Sequence, residues 1–169
     1  MKNKKYLFRF SPLTDSDVPR VLELYRQCED FLALGPVPTA SLQMVQADMA
    51  LTRPQGGVYG GIFIAPGEAG GDWILAGVLD IIPTYAGEPD CTFIELLMIG
   101  APYRGRGLGQ AVVEWLLAQR PNLRLKAGVQ VNNPSAIRFW QSLGFRITGP
   151  AAHFEDGTTA FPIELSVNS

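Results

Sequence analysis

Apolar positions along the chain change period several times, and each change marks an element. Tyr6 to Phe10 alternates aromatic and apolar residues around Arg9, which predicts a short first strand. Thr14 then offers an N-cap with Asp17 in the first turn. Val18, Val21, Leu22 and Tyr25 follow at helical spacing, so a first helix is predicted to run to Cys28, with Pro19 near its start where a missing N–H costs little. Glu29 to Pro38 holds Gly35, Pro36 and Pro38 and predicts an irregular connection. Ser41, or Thr39 before it, caps a second helix through Leu51, with Leu42, Val45 and Met49 on one side, and Arg53 to Gly57 turns the chain. Three apolar, β-rich runs come next, Val58–Ala65, Trp73–Ile82 and Cys91–Ile99. Loops at Pro66–Asp72 and Pro83–Asp90 join them with no helix between, which predicts an antiparallel meander.

The helical period returns at Leu108, Ala111, Val112, Trp115 and Leu116, one buried stripe that ends at Pro121 and Asn122. Leu123 to Val131 alternates as a strand. Because a helix separates it from the Cys91–Ile99 strand, the two are predicted to run parallel. Asn133 caps a further helix with Pro134 at its first position and Ala136, Phe139, Trp140 and Leu143 on its apolar side. Gly144 stops it, with Phe145 placed for a C-terminal contact. Two last strands, Phe145–Gly149 and Thr158–Ser166, flank a turn at Glu155, Asp156 and Gly157. With no repeat or linker, residues 1–169 read as one α/β domain, a mixed and mostly antiparallel sheet flanked by about four helices.

Composition adds mainly exclusions. The 14 basic and 16 acidic residues leave a net charge of −2, which argues against a nucleic-acid-coating surface. No apolar run approaches the roughly 20 residues of a membrane span. Lys2, Lys4 and Lys5 are followed only by Tyr6, Leu7 and Phe8 before Arg9, too short for an export signal, so a cytoplasmic protein is expected. Cys28 and Cys91 are too few for a disulfide framework and show no metal-binding pattern.

The candidate chemistry lies where the third meander strand meets the third helix. Arg104, Gly105, Arg106, Gly107, Leu108 and Gly109 place alternating glycines at a helix start, where unpaired N–H groups and about half a positive charge suit a phosphate. The Gly-Lys-Ser/Thr ending of a P-loop is missing, since Gln110 and Ala111 follow Gly109. A dinucleotide fingerprint would need glycine at position 110. The expectation is a pyrophosphate cradle of another kind.

The order of elements and two motifs resemble the GNAT superfamily of acyl-CoA-dependent N-acyltransferases. Its Gln/Arg-x-x-Gly-x-Gly/Ala motif is matched by Arg104, Gly107 and Gly109. Its Asn-x-x-Ala-x-x-x-Tyr-x-x-x-Gly-Phe block is matched by Asn133, Ala136, Gly144 and Phe145, with Trp140 at the tyrosine position. The resemblance implies a splayed parallel strand pair holding acetyl-CoA or another acyl-CoA. Leu97, Met98 and Ile99 would offer backbone groups to pantetheine and thioester, and Arg104 to Gly109, including Arg106 and Leu108, would hold the pyrophosphate. It also implies Glu95 as the base that deprotonates an amine; the alternative is an edge glutamate facing solvent or an arginine. Trp140 cannot act as the acid that a tyrosine supplies, and either lines the pantetheine channel or packs in the core. Ser142 or Tyr103 could offer a hydroxyl instead. Asn133 is expected to cap its helix and to touch the donor second. Glu29, Asp30 and Phe31 fall where the family's acceptor enters, and their acidity suits a cationic amine or only a solvated loop. His153 is expected in a surface loop.

The function implied is transfer of an acetyl or short acyl group from acyl-CoA to a primary amine by direct attack, with a small-molecule acceptor favoured. A CoA-binding module without turnover and an acetyltransferase of protein N-termini or lysines are the rivals. No metal, nucleic acid or membrane is expected, and a homodimer stays open.

Overall fold

A computed structural model describes residues 7–68 and 70–166; Tyr6, where the first strand was expected to begin, lies outside them. The sheet runs β1 (Phe8–Pro12), β2 (Val58–Ile64), β3 (Ile74–Ile82), β4 (Cys91–Ile99), β5 (Arg124–Gln130), β8 (Thr159–Ser166) and β6 (Arg146–Ile147), with β7 (Ala152–His153) also paired to β8. Every pairing is antiparallel except β4 with β5, so the predicted meander and the parallel pair both form.

One face is covered by α4 (Leu108–Leu117) and α5 (Pro134–Ser142). Their stripes pack Val112, Leu116 and Trp140 against Ile62, Leu79 and Ile94 of the strands. The other face is covered by α1 (Val18–Arg26) and α3 (Leu42–Leu51), which set Val21, Tyr25, Val45 and Met49 against Tyr59, Val78 and Met98. Two caps form as the local sequence predicts, whereas Thr14 caps a 3-10 turn over Asp15–Asp17 that precedes α1 and not α1 itself. Ser41 accepts the Met44 N–H at 3.1 Å, and Asn133 accepts the Ala136 N–H at 3.0 Å.

Three more expectations change. Glu29–Leu32 winds into a single short helix, α2, before Gly35 and Pro36 break it. The strand expected over Phe145–Gly149 shrinks to β6, because Phe145 turns into the core and Pro150 follows Gly149. β7 then adds a two-residue ladder step that no periodicity announced, ahead of a turn in which Asp156 accepts the Thr158 N–H at 2.9 Å.

Two irregularities of the sheet position the site. β4 and β5 pair only over Cys91–Ile94 and Arg124–Ala127. Beyond that point β5 stays with β8 while β4 stays with β3, and the two parallel strands part as a wedge. The β3–β4 register also jumps, from Asp80 opposite Leu96 to Ile81 opposite Ile94, which leaves Glu95 as the extra residue of a β-bulge.

Candidate active site

The wedge opens into a cavity of about 580 Å³, within the range of roughly 300–1,000 Å³ usual for small-ligand sites. Leu97, Met98 and Ile99 of β4 line one wall, and Asn133 and Phe139 of α5 line another. Gly100 donates its N–H to Ala76 O at 2.8 Å, so the alternation of an antiparallel ladder turns the backbone groups of Leu97 and Ile99 away from β3, toward the open side.

The floor of the cavity is the glycine turn. Gly105 and Gly107 have φ of 71° and 83°, left-handed values that a side chain would strain. Gly107 is itself the N-cap of α4 and brings no capping side chain, so the first-turn N–H groups have no cap where Gly107, Leu108, Gly109 and Gln110 line the cavity. The contrast with α5 is direct, since that helix starts at the same cavity and is closed by its own Asn133. Gly109 serves packing instead: a Cβ there would stand 3.1 Å from the Phe139 ring.

Several expected site residues are placed differently from one another. Arg104 lines the cavity, but its Nε donates to Ile99 O at 2.8 Å and its two terminal nitrogens donate to Asp30 at 2.5 and 3.1 Å. That bidentate pair draws the Asp30 carboxyl below its usual range and raises the Arg104 pKa. Arg106 is exposed and is not among the lining residues. Phe31 lines the cavity beside Asp30, whereas the Glu29 carboxylate turns away to accept the Ala40 N–H at 3.1 Å. Trp140 is 8% exposed and packs edge-on against Phe139 and Phe145, so it belongs to the core and not to the cavity wall. Tyr103 and Ser142 do line the cavity, and the Ser142 hydroxyl donates to Phe139 O at 2.7 Å. His153 is exposed on β7, 2.7 Å from the Thr159 hydroxyl.

Glu95 stands on the α1–α3 side of the sheet with companions that its own strand did not reveal. Asp80 is buried on β3 and accepts the Thr52 hydroxyl at 2.6 Å. Tyr25 donates to Asp48 at 2.9 Å and lies 2.8 Å from the Tyr59 hydroxyl. Burial pushes the Asp80 carboxyl up to about 6, opposed by the Thr52 hydrogen bond and assisted by the charges of Glu95 and Asp48. Glu95 is exposed, yet the protein packed around it partly desolvates its carboxyl and raises it, with Asp48 adding to this; burial raises Asp48 against the Tyr25 hydrogen bond. Among the described residues, no arginine, lysine or histidine lies within salt-bridge distance of these three carboxylates. No group of His, Cys, Asp and Glu among those residues could hold a metal ion. Asp80 did carry a visible signal, a carboxylate inside a nine-residue strand that is otherwise apolar. Asp48, beside Met49 in a helical stripe, carried none that local reasoning would single out.

A sequence model of the acetyltransferase (GNAT) family matches residues 19–145, which takes in the wedge, the glycine turn and the Asn133–Phe145 block. The chain belongs to that family of acyl-CoA-dependent transferases. No curated protein is significantly similar to it in sequence. Solved structures share the fold. An acetyltransferase from Thermus thermophilus is 24% identical, with a TM-score of 0.75 over 96% of this chain and 99% of that one. A spermidine N-acetyltransferase from Vibrio cholerae, solved with CoA and spermine, is 13% identical, with a TM-score of 0.66 over 95% and 96%. The aminoglycoside acetyltransferase AAC(6')-Ib, solved with ribostamycin and coenzyme A, is 18% identical, with a TM-score of 0.70 over 95% and 94%. No described helix is long and apolar enough to cross a membrane.

Proposed function

We propose that this chain transfers an acetyl or short acyl group from acyl-CoA to a primary amine of a small molecule, by direct attack. The observation that carries the reading is the pairing of the wedge cavity with a carboxylate cluster on the α1–α3 face of the sheet, whose members do not themselves line that cavity. An uncapped helix start faces one end of the cavity, and Asp48 and Asp80 gather beside Glu95 on the α1–α3 face, none of the three with a basic partner among the described residues. The first suits the pyrophosphate of the donor. The second suits a cationic amine, which such a cluster attracts before it reacts. Spermine and ribostamycin, in the two neighbouring structures solved with them, are amines of that character.

In this reading Glu95 takes the proton from the bound ammonium, directly or through one water, since only the neutral amine is nucleophilic. Its raised pKa makes it a stronger base than an ordinary carboxylate. The amine nitrogen forms a bond to the thioester carbonyl carbon. The oxygen gains charge, which the β4 N–H groups on the open side stabilise. As the C–S bond breaks, the nitrogen gives up its second proton to solvent, leaving the neutral amide and the thiolate of CoA. Thiolate leaves readily, so solvent, or the Tyr103 hydroxyl at the cavity wall, suffices to protonate it.

A small acceptor is favoured over a protein N-terminus or lysine because Cys28–Gly35 is bonded across the mouth of the wedge, narrowing the approach for a folded substrate. The test is CoA release with a panel of polyamines, aminoglycosides and lysine peptides, run on wild type and Glu95→Gln, beside acetyl-CoA titration calorimetry. Turnover on the small amines that Glu95→Gln loses while donor binding persists supports the reading. Turnover only on peptides overturns the choice of acceptor, and binding without turnover on any amine supports a ligand-sensing module instead.

A further inference from the structure

The segment from Cys28 to Gly35 is tied to both sides of the wedge. On the β4 side the Cys28 thiol donates to Ile99 O at 3.5 Å, and Arg104 Nε donates to the same oxygen at 2.8 Å. The guanidinium then reaches Asp30 through two bonds of 2.5 and 3.1 Å. On the β5 side Asn132 Nδ2 donates to Leu34 O at 3.0 Å. Between these anchors Phe31 and Leu34 form part of the cavity wall.

Arg104 opens the phosphate motif, yet its bonds commit it elsewhere. A guanidinium has five N–H donors in one plane, and three of them are engaged inside the protein. Nε sets the direction of the fork. Turning that fork to a phosphate would break a bidentate ion pair and leave Ile99 O with only a thiol. The pyrophosphate has no need of it, because the uncapped first turn of α4 behind Gly105 and Gly107 already offers N–H groups.

We propose that Arg104 and Asp30 form a strut that holds Cys28–Gly35 across the wedge as a roof over the pantetheine arm of the donor, so that Arg104 is a positioning residue and not a phosphate ligand. The inference rests on acyl-CoA occupying this cavity. The strut joins the end of β4 to the short helix α2, and Asn132 holds the far end of the same roof. Loss of any one of the three side chains loosens one structure.

The experiment compares dissociation constants for acetyl-CoA and for S-acetylpantetheine, which lacks every phosphate, by titration calorimetry. The variants are Arg104→Ala, Asp30→Ala, Asn132→Ala and the Arg104→Ala/Asp30→Ala double. Each single variant is expected to weaken both donors by the same factor, about two- to fivefold for a half-exposed pair. The double variant is expected to be no worse than either single, because the two side chains share one interaction. Asp30→Glu, which keeps the carboxylate, should retain most of the wild-type affinity. A loss of tenfold or more on acetyl-CoA alone in Arg104→Ala, with Asp30→Ala silent, would make Arg104 a phosphate ligand and overturn the proposal. A large drop in melting temperature in all variants would also overturn it, by making these contacts general packing. Wild type that binds neither donor would instead overturn the acyl-CoA reading itself.

Discussion

Over one face of the sheet α4 and α5 seal an apolar core, while over the other α1 and α3 close on a core that contains acids and phenols. Consecutive residues of β3 show the division. Leu79 and Asp80 are 0% and 1% exposed, one turned to each face, and equal burial gives them opposite consequences. Leu79 adds transfer free energy. Asp80 is tolerated only with Thr52 as donor and a carboxyl that holds its proton to about pH 6. The apolar face is therefore the part that keeps the wedge in shape, and in the proposed reaction the mixed face is the part that moves a proton. The wedge lies where the two meet.

The comparison can be broken most forcefully at Glu95. Glu95→Gln is expected to lower kcat/KM by about 10²- to 10⁴-fold, the usual worth of a general base, with acetyl-CoA affinity unchanged. Steady-state CoA release beside calorimetry checks it, and an unchanged rate would remove Glu95 from the chemistry.

On the opposite face Trp140→Ala should act on stability. Removing a core ring packed between Phe139 and Phe145 is expected to cost about 3–5 kcal/mol in urea unfolding, and the pH dependence of the surviving activity should stay that of wild type. A shifted pH profile would instead give Trp140 a part in the chemistry.

Next in size is a dependence of folding on pH. The Asp80 carboxyl titrates near 3.8 when unfolded and is raised to about 6 in the fold. Between those values the folded state binds more protons than the unfolded state, so stability falls as pH rises through that window. Desolvation raises Asp48 and Glu95 in the same sense. The Asp80 contribution is on the order of 2–3 kcal/mol between pH 4 and 7. Asp80→Asn should flatten the curve, and chemical denaturation at several pH values would reveal a stability that rises with pH if the assignment is wrong.

The smallest effect is expected at the turn below the cavity. Gly107→Ala meets open space but must adopt φ of 83°, a strain of about 1–2 kcal/mol. Thermal melts with and without acetyl-CoA should show a lower melting temperature in both and a smaller gain from the ligand. A full wild-type gain would place the pyrophosphate away from this turn.

The donor side was legible from the chain because its parts are local. Gly105, Gly107 and the helix that begins at Leu108 are neighbours in sequence, and Asn133 caps the helix it precedes. The roles of individual side chains were less legible. Trp140 matched the family block by spacing, yet spacing does not say whether a ring faces the core or the cavity. Arg104 matched the phosphate motif, while its partner Asp30 lies 74 residues away. Glu95 was a plain exception in an apolar strand, but the bulge that sets its direction depends on the register against β3.

By itself, the sequence determined the meander, the parallel crossover, the capped helix starts and the glycine turn that opens α4, because each follows from dihedral preference and apolar period over a few adjacent residues. Only the tertiary structure decided that Asp48, Asp80 and Glu95 share one side of the sheet, that Arg104 reaches back to α2, and that β4 and β5 part after Ile94. Those outcomes depend on register, burial and contacts between residues far apart in the chain. Electrostatic and hydrogen-bond energies are set by distance in space, which no local pattern encodes.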